Sequence, residues 1–504
     1  MTSDTEESRT AKVVPIGLGA YLDQERSRAD DRIRQGWSRA YARQNQMLPY
    51  GGSFLSPGDV ALLHSALERA LSSDTASASE ILGAALLSAI MTTGRNLDSV
   101  ASVKFGETVS QDARLHIAEC AAQSSTWWFP PGRPTSSQLF GKMQEPVAAA
   151  RPALIPLPCS KRTNELIRKL HHHGIVGCQV FPASHREANA ALRHFILAAG
   201  VRCSLRRVEG WLFQRLVLAP RGDTGIAALI TGHAAPITQT VVHYTALECD
   251  DIASHVADAL QGFDEIPPSS NAVAIQDRIG SRLVPTLNET QVLADALSRP
   301  LDPPGRGKRR DPVAIHNAMT TYTIAMTQFA TGCRPSLRWL PDDEAIDPAT
   351  GFLIINDKPT RDNFKSRIVW VSDDCRDQLR LYRAHLIRLT ERLPAIGPVT
   401  GGHGAPFYLS PDLVPQAVTR SALRAELAKQ HWPYPLNAGR HFLRSSLAGK
   451  VSTETLHAML GHWHLGTEAW GAASALDPVS YRDDLSAVLV PLSRRAGWLP
   501  RRGL

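Results

Sequence analysis

What the chain lacks narrows it first. Cysteine is scarce: seven in 504 residues (Cys120, Cys159, Cys178, Cys203, Cys249, Cys333 and Cys375), widely spaced and with no Cys-x-x-Cys pair. An odd, scattered set argues against a disulfide framework or a cysteine zinc site and points to reduced thiols in a cytoplasmic setting. No run approaches the roughly 18 apolar residues that a membrane span requires, and the polar, acidic opening MTSDTEESRT is unlike a secretory leader. Charge of one sign is not extreme either. The formal net charge is +7, with 20% charged and 43% apolar residues, an ordinary globular composition with a mild lean towards anionic partners. At this length about two to four domains are expected.

Among the features present, periodicity and punctuation come first. Arg28, Arg32, Arg39 and Arg43 fall on one face of a helix, either solvated or facing phosphate. Apolar residues at three- and four-residue spacing (Val60, Leu63, Leu67; Ile81, Ala85, Leu86, Ile90) predict helices over about 58–91. Ile266 to Asn271, with paired prolines, reads as a turn or linker. Leu301 to Pro312 adds Arg306, Lys308, Arg309 and Arg310 to its prolines and glycines, a flexible basic segment able to track a phosphate backbone. A helix from Ala314 to about Ala330 follows, then strands at Phe352–Asn356 and Arg367–Val371, then mainly helix from about Asp373. The fold class expected is α+β, mainly helical, with a small antiparallel sheet. His171, His172 and His173 have no further metal ligand nearby in sequence and read as a solvated helix end. Arg494, Arg495, Arg501 and Arg502 leave a basic tail open to DNA or a neighbouring subunit.

Moving a phosphodiester onto a protein hydroxyl without metal needs fixed cations for the non-bridging oxygens, an in-line nucleophile and a general acid for the leaving oxygen. Arginine suits the clamp because its planar fork pairs with phosphate. Such a set occurs in order: Arg334 in Thr-Gly-Cys-Arg, Lys358 at the end of the first strand, His441 and Arg444 as His-Phe-Leu-Arg, His462 in Leu-Gly-His, and Tyr481 in Pro-Val-Ser-Tyr. His441 and Arg444, at i and i+3, share a helix face.

This order over about residues 311–485 resembles the tyrosine recombinase family, which includes phage integrases and the Xer and Cre recombinases. The resemblance implies that Arg334 and Arg444 clamp the scissile phosphate and that Lys358 protonates the leaving 5′-oxygen. It further implies that His441 assists proton transfer from the nucleophile, that His462 hydrogen-bonds the phosphate, and that Tyr481 attacks to leave a 3′-phosphotyrosine. It implies no metal and no cofactor, double-stranded DNA as partner, a homo-tetramer on paired sites and possible helper proteins. Tyr481 follows His462 at a longer interval than is usual in the family, and no other tyrosine follows His462. Lys365 lies in the same hairpin as Lys358 and stays an alternative.

The N-terminal half holds an echo. Thr-Gly-Arg95, Leu-Arg206 with Arg207, Thr-Gly-His233 and Tyr244 repeat the order, and the interval from Arg95 to Arg206 nearly equals that from Arg334 to Arg444. Cys203 stands where this copy would need its histidine, so the expectation is a degenerate copy kept for DNA binding or subunit contact. The division expected is a basic extension (1–57), a DNA-binding region for which a degenerate catalytic-like copy is one reading (58–250), a linker region with the basic segment (251–310), and a catalytic domain with its tail (311–504). The function expected is DNA recombination by an integrase or resolvase of a mobile element. A non-catalytic DNA-binding accessory protein and a type IB topoisomerase are the alternatives.

Overall fold

Caps and apolar spacing agree on where the first helices begin. Ser56 and Ser77 stand as N-caps and accept from the amides of Asp59 and Glu80, satisfying donors that a helix start leaves open. They introduce α1 (Pro57–Ser72) and α2 (Ala78–Thr93), where the spacing predicts helix. α1 buries one stripe, Leu63, Ala66, Leu67 and Ala70, whereas α2 is buried nearly all round and is the pillar of the N-terminal half. The computed structural model describes residues 54–106, 114–116, 125–130, 154–171, 179–233, 241, 243–266, 278–302, 311–335, 339–341, 345–356, 366–396, 406–462, 469–471 and 474–504. Arg28, Arg32, Arg39, Arg43, His172, His173, Arg306, Lys308, Arg309, Arg310, Lys358 and Lys365 lie outside these, as does most of the Ile266–Asn271 linker.

After α3 (Leu97–Ala101) comes a four-stranded sheet, β1 (Lys104–Phe105), β2 (Arg114–His116), β3 (Thr126–Phe129) and β4 (Ile155–Pro158), in that spatial order. The β1–β2 pair is parallel and the other two are antiparallel. Pro156 and Pro158 are tolerated because β4 is an edge strand with no ladder on its far side. The helices α4 (Lys161–Leu170), α5 (His185–Ala198), α6 (Leu205–Glu209), α7 (Trp211–Leu218) and α8 (Thr224–Thr231) follow. α2 packs closely on α5: a Cβ on Gly83 would meet the Ala191 carbonyl at 2.6 Å. β5 (Ala246–Glu248) pairs antiparallel with β6 (Arg278–Gly280), with α9 (Cys249–Leu260) between them. α10 (Leu287–Ser298) then leads to the C-terminal half.

That half is built on α11 (Pro312–Thr331), which Asp311 caps and which is buried nearly from end to end. β7 (Phe352–Ile355) and β8 (Arg367–Trp370) form the expected antiparallel hairpin, with Leu353 opposite Val369. α12 (Asp373–Arg392), a second hairpin of β9 (Phe407–Leu409) and β10 (Pro415–Ala417), and α13 (Arg420–Ala428) come next. The chain closes with α14 (Ala438–Leu447), α15 (Thr453–Leu460) and α16 (Pro478–Arg495). The architecture is α+β and mainly helical. Residues Phe54–Leu504 form one compact unit over a continuous buried core. Among the described residues no helix is long and apolar enough to cross a membrane, and the described cysteines are free thiols.

Candidate functional site

Two helix ends create the site. α11 ends at Gly332 and α15 at Gly461, both in the left-handed region (φ 61° and 63°), and each end leaves backbone carbonyls without helical donors. Two buried arginines take them. Arg367, at the start of β8, donates from Nη1 to the Thr331 (3.2 Å) and Met459 carbonyls and from Nη2 to Gly332 (3.1 Å). Arg440 of α14 donates from Nη1 to Gly332 (3.2 Å) and from Nη2 to the Leu460 carbonyl. The negative ends of both helices favour these cations. Glycine is favoured here by its φ of 61°, which L side chains rarely adopt; the space itself would place a Cβ 3.3 and 3.4 Å from the flexible ends of Leu443 and Leu460.

Histidines complete the cluster. Arg440 Nη2 also donates to His462 Nε2 at 3.0 Å; because a guanidinium has no acceptor, the His462 proton sits on Nδ1. Burial, with Arg440, His457, Arg444 and Arg334 adding, holds that imidazole well below its ordinary pKa. His441 accepts at Nε2 from the Asn437 amide (3.3 Å) and is pushed down to about 3 by burial, then by His243 and Arg440. Both rings are therefore neutral, and their Nδ1 atoms make no hydrogen bond among the described residues.

The sequence-expected residues divide. His441, Arg444 and His462 come together, and the charge of Arg334 acts on His462 from the turn after α11. Arg444 itself, fully buried, turns away to the carboxylate of Asp223 (Nη2 to Oδ1, 2.6 Å) in the N-terminal half. Arg440, which sequence reasoning passed over, is the arginine bonded to His462. Its only signal was position: it precedes His441 and lies four residues before Arg444, on the same face of the helix. Arg367 was missed as well, an arginine opening an otherwise apolar strand.

Tyr481 is bonded to backbone, and of the cations that build the site Arg367 is the one whose charge acts on it. The tyrosine lies at the start of α16, fully buried, and its hydroxyl donates to the Ile368 carbonyl at 2.8 Å. Trp470 packs edge-on against its ring at 4.9 Å and Phe352 lies at 6.1 Å. Burial pushes the phenol pKa up, against the opposing charge of Arg367. The aromatic residue that does touch the cluster is Tyr244, from the N-terminal half. Its ring lies 4.3 Å from that of His441 and 5.8 Å from that of His462, and the Arg440 guanidinium carbon is 5.6 Å from its centre.

α2 and α8 also end in left-handed glycines, Gly94 and Gly232. Arg95 bonds the Ile230 carbonyl (2.7 Å) and the Pro130 carbonyl (3.0 Å) and lies over Phe129. Burial lowers its pKa to about 9. His233 lies against Phe213 at 5.2 Å and is lowered by burial and then by Arg206. Cys203 is half-buried and its thiol is raised by burial, then by Asp59. Elsewhere, His171 bonds the Val180 carbonyl at 2.7 Å, and in the tail Arg494 and Arg501 pair with Asp374 and Asp302.

A second buried histidine pair lies outside the cluster. The Leu504 amide donates to His385 Nδ1 (3.0 Å), so His385 Nε2 donates to His316 Nδ1 (3.2 Å) and His316 Nε2 donates to the Phe407 carbonyl (3.0 Å). This relay holds only while both rings are neutral. Burial, with His316 and Arg388 adding at His385, sets the pKa values at about 4 for His316 and about 3 for His385. A histidine lowered in the folded state contributes stability that is complete above its unfolded pKa near 6.5 and is lost as pH falls towards the folded value. At pH 5 the loss is about 2 kcal/mol for each of His316, His385 and His441. The thermal midpoint should therefore fall steeply between pH 7 and pH 5, and His316→Gln should flatten the profile. An unchanged midpoint across that range would show these rings to be charged or exposed in solution.

The chain matches no family model, no curated protein and no solved structure.

Proposed function

We propose that the chain is a DNA strand-transfer enzyme of tyrosine-recombinase type, an integrase or resolvase of a mobile element. The observation that carries this reading is the gathering of Arg440, His441, Arg444 and His462, with the charge of Arg334, where α11, α14 and α15 meet. Fixed guanidinium groups supply what phosphodiester transfer asks for first, donors for the non-bridging oxygens. In this reading Arg440, more than Arg444, is the phosphate clamp.

The chemistry closes on side chains. The Tyr481 oxygen attacks phosphorus and gives its proton to His441, whose Nε2 must first release the Asn437 amide, while the His462 Nδ1–H donates to a non-bridging phosphate oxygen. The bond to the 5′-oxygen breaks, that oxygen takes a proton from Lys358, and a 3′-phosphotyrosine remains. Attack requires Tyr481 to leave the Ile368 carbonyl, so DNA binding and release of the tyrosine belong to one step. Double-stranded DNA is the substrate and a homo-tetramer on paired sites the working assembly.

Tyr481→Phe tests the assignment. The variant should bind duplex DNA as the parent does and form no covalent adduct with a nicked suicide substrate, resolved on a denaturing gel. An adduct that persists would remove Tyr481 as nucleophile. DNA binding without an adduct in the parent chain would favour the accessory-protein reading.

A further inference from the structure

Arg367 joins two parts of the site that lie far apart in sequence. Its side chain reaches one of them and the strand that carries it reaches the other. On the side-chain side, Nη1 bonds the Thr331 and Met459 carbonyls and Nη2 bonds that of Gly332. The Gly332 carbonyl is shared. It also accepts from Arg440 Nη1 at 3.2 Å, and Arg440 Nη2 goes on to His462 at 3.0 Å. At the end of α15 the two arginines take consecutive carbonyls, Met459 by Arg367 and Leu460 by Arg440. Each helix end is thus held from two sides, and Arg440 cannot shift without disturbing what Arg367 holds. Arg334 follows in the turn after Gly332, so the same carbonyl anchors the root of that cation.

On the backbone side, the next residue of β8 is Ile368, whose carbonyl accepts the Tyr481 hydroxyl at 2.8 Å. Pairing with β7, where Ile354 stands opposite Ile368, keeps the strand straight, so the Arg367 side chain and the Ile368 carbonyl move as one body. Arg367 is 1% exposed and acts through these neighbours, not by contact with DNA. Its charge opposes the rise that burial causes in the phenol and so favours the phenolate that attack must generate. The task calls for arginine: a planar fork spans three carbonyls on two helices, and a point donor such as lysine does not. We propose that Arg367 is the positioning residue of strand transfer, setting Tyr481 at a fixed separation from the Arg440–His462 cluster. The proposal rests on the strand-transfer reading for the reaction it serves.

The test uses the full chain with its tyrosines isotopically labelled at Cζ and read by NMR, the Tyr481 resonance being the one lost in Tyr481→Phe. Arg367→Lys keeps the charge and loses the fork. Without DNA, it should displace the Tyr481 resonance and leave the others in place. On a nicked duplex, well below the thermal midpoint of the variant, its maximal single-turnover rate of adduct formation should fall about a hundredfold, the scale of an ångström-sized misplacement. The DNA concentration giving half that rate should stay within about twofold of the parent, because binding is untouched. Arg367→Met, which loses the charge as well, should be slower still. If Arg367→Lys proves unstable, Arg440→Lys reads the link from the other side of Gly332, and the Tyr481 resonance should move there too. A Tyr481 resonance that stays in place in folded Arg367→Lys, or in Arg440→Lys where the first does not fold, overturns the proposal. So does a rate lost wholly through weaker DNA binding. A displaced resonance with no adduct from the parent keeps Arg367 as the residue that seats Tyr481 and removes the strand-transfer reading instead.

Discussion

Arg440→Lys should lower covalent attachment to DNA by about 10²–10³-fold, the scale seen when one preorganised donor to a developing oxyanion is removed. The expectation follows from shape more than charge. Arg440 spreads its donors over the Gly332 and Leu460 carbonyls and His462, and a lysine ammonium is a point donor that cannot span them. His462 would lose the bond that fixes its tautomer, so its Nδ1 proton would no longer be aimed. A stability loss of about 1–3 kcal/mol accompanies the change, because a buried carbonyl is left unpaired. Adduct yield should therefore be measured well below the thermal midpoint of the variant. Arg444→Lys, which can keep a charge near Asp223, should cost far less in adduct. The reverse ranking, with both variants folded, would return the clamp to Arg444.

That contrast shows how much of the molecule was legible in its residues. The helices around the site follow from local signals: Ser77, Asp311 and Ser452 cap them, and Gly94, Gly332 and Gly461 end them. The β7–β8 hairpin was legible because its strands are rich in β-branched and apolar residues. The sheet of the N-terminal half was not, since β1 and β2 are two and three residues long and β3 is buried on both faces, which erases alternation. The candidate site was legible as a set of residue types and not as a set of contacts. Arg440 and Arg444 share one helix face, and what separates them is tertiary: the ends of α11 and α15 beside one, Asp223 beside the other. No local pattern relates Asp223 to Arg444 or Tyr244 to His441, because each pair is joined only when the two halves pack.

The Asp223–Arg444 pair should carry the largest single share of stability between the halves. Both side chains are nearly inaccessible, at 2% and 0% exposure, so neither charge can fall back on water when its partner goes. Arg444→Met should cost about 3–5 kcal/mol, the usual penalty for leaving one member of a buried pair uncompensated. Asp223→Asn should cost a similar amount, even though the amide can still cap α8 through its oxygen. The double variant should cost clearly less than the two single costs together, because no orphaned charge remains. Denaturant unfolding of the four proteins checks this, and strictly additive costs would show that the charges do not interact. The pair also has its own place on the pH axis. A carboxyl depressed in the folded state contributes stability that is fully present above its unfolded pKa, near 3.9, and is lost as pH falls through the folded value. The pair thus survives between pH 7 and pH 5, where the buried histidines lose theirs. At pH 5 the parent should accordingly be weakened yet keep the full Asp223–Arg444 coupling, and only below about pH 4 should the double-mutant cycle collapse. Loss of that coupling already at pH 5 would mean that the carboxyl is not held below its ordinary range by Arg444.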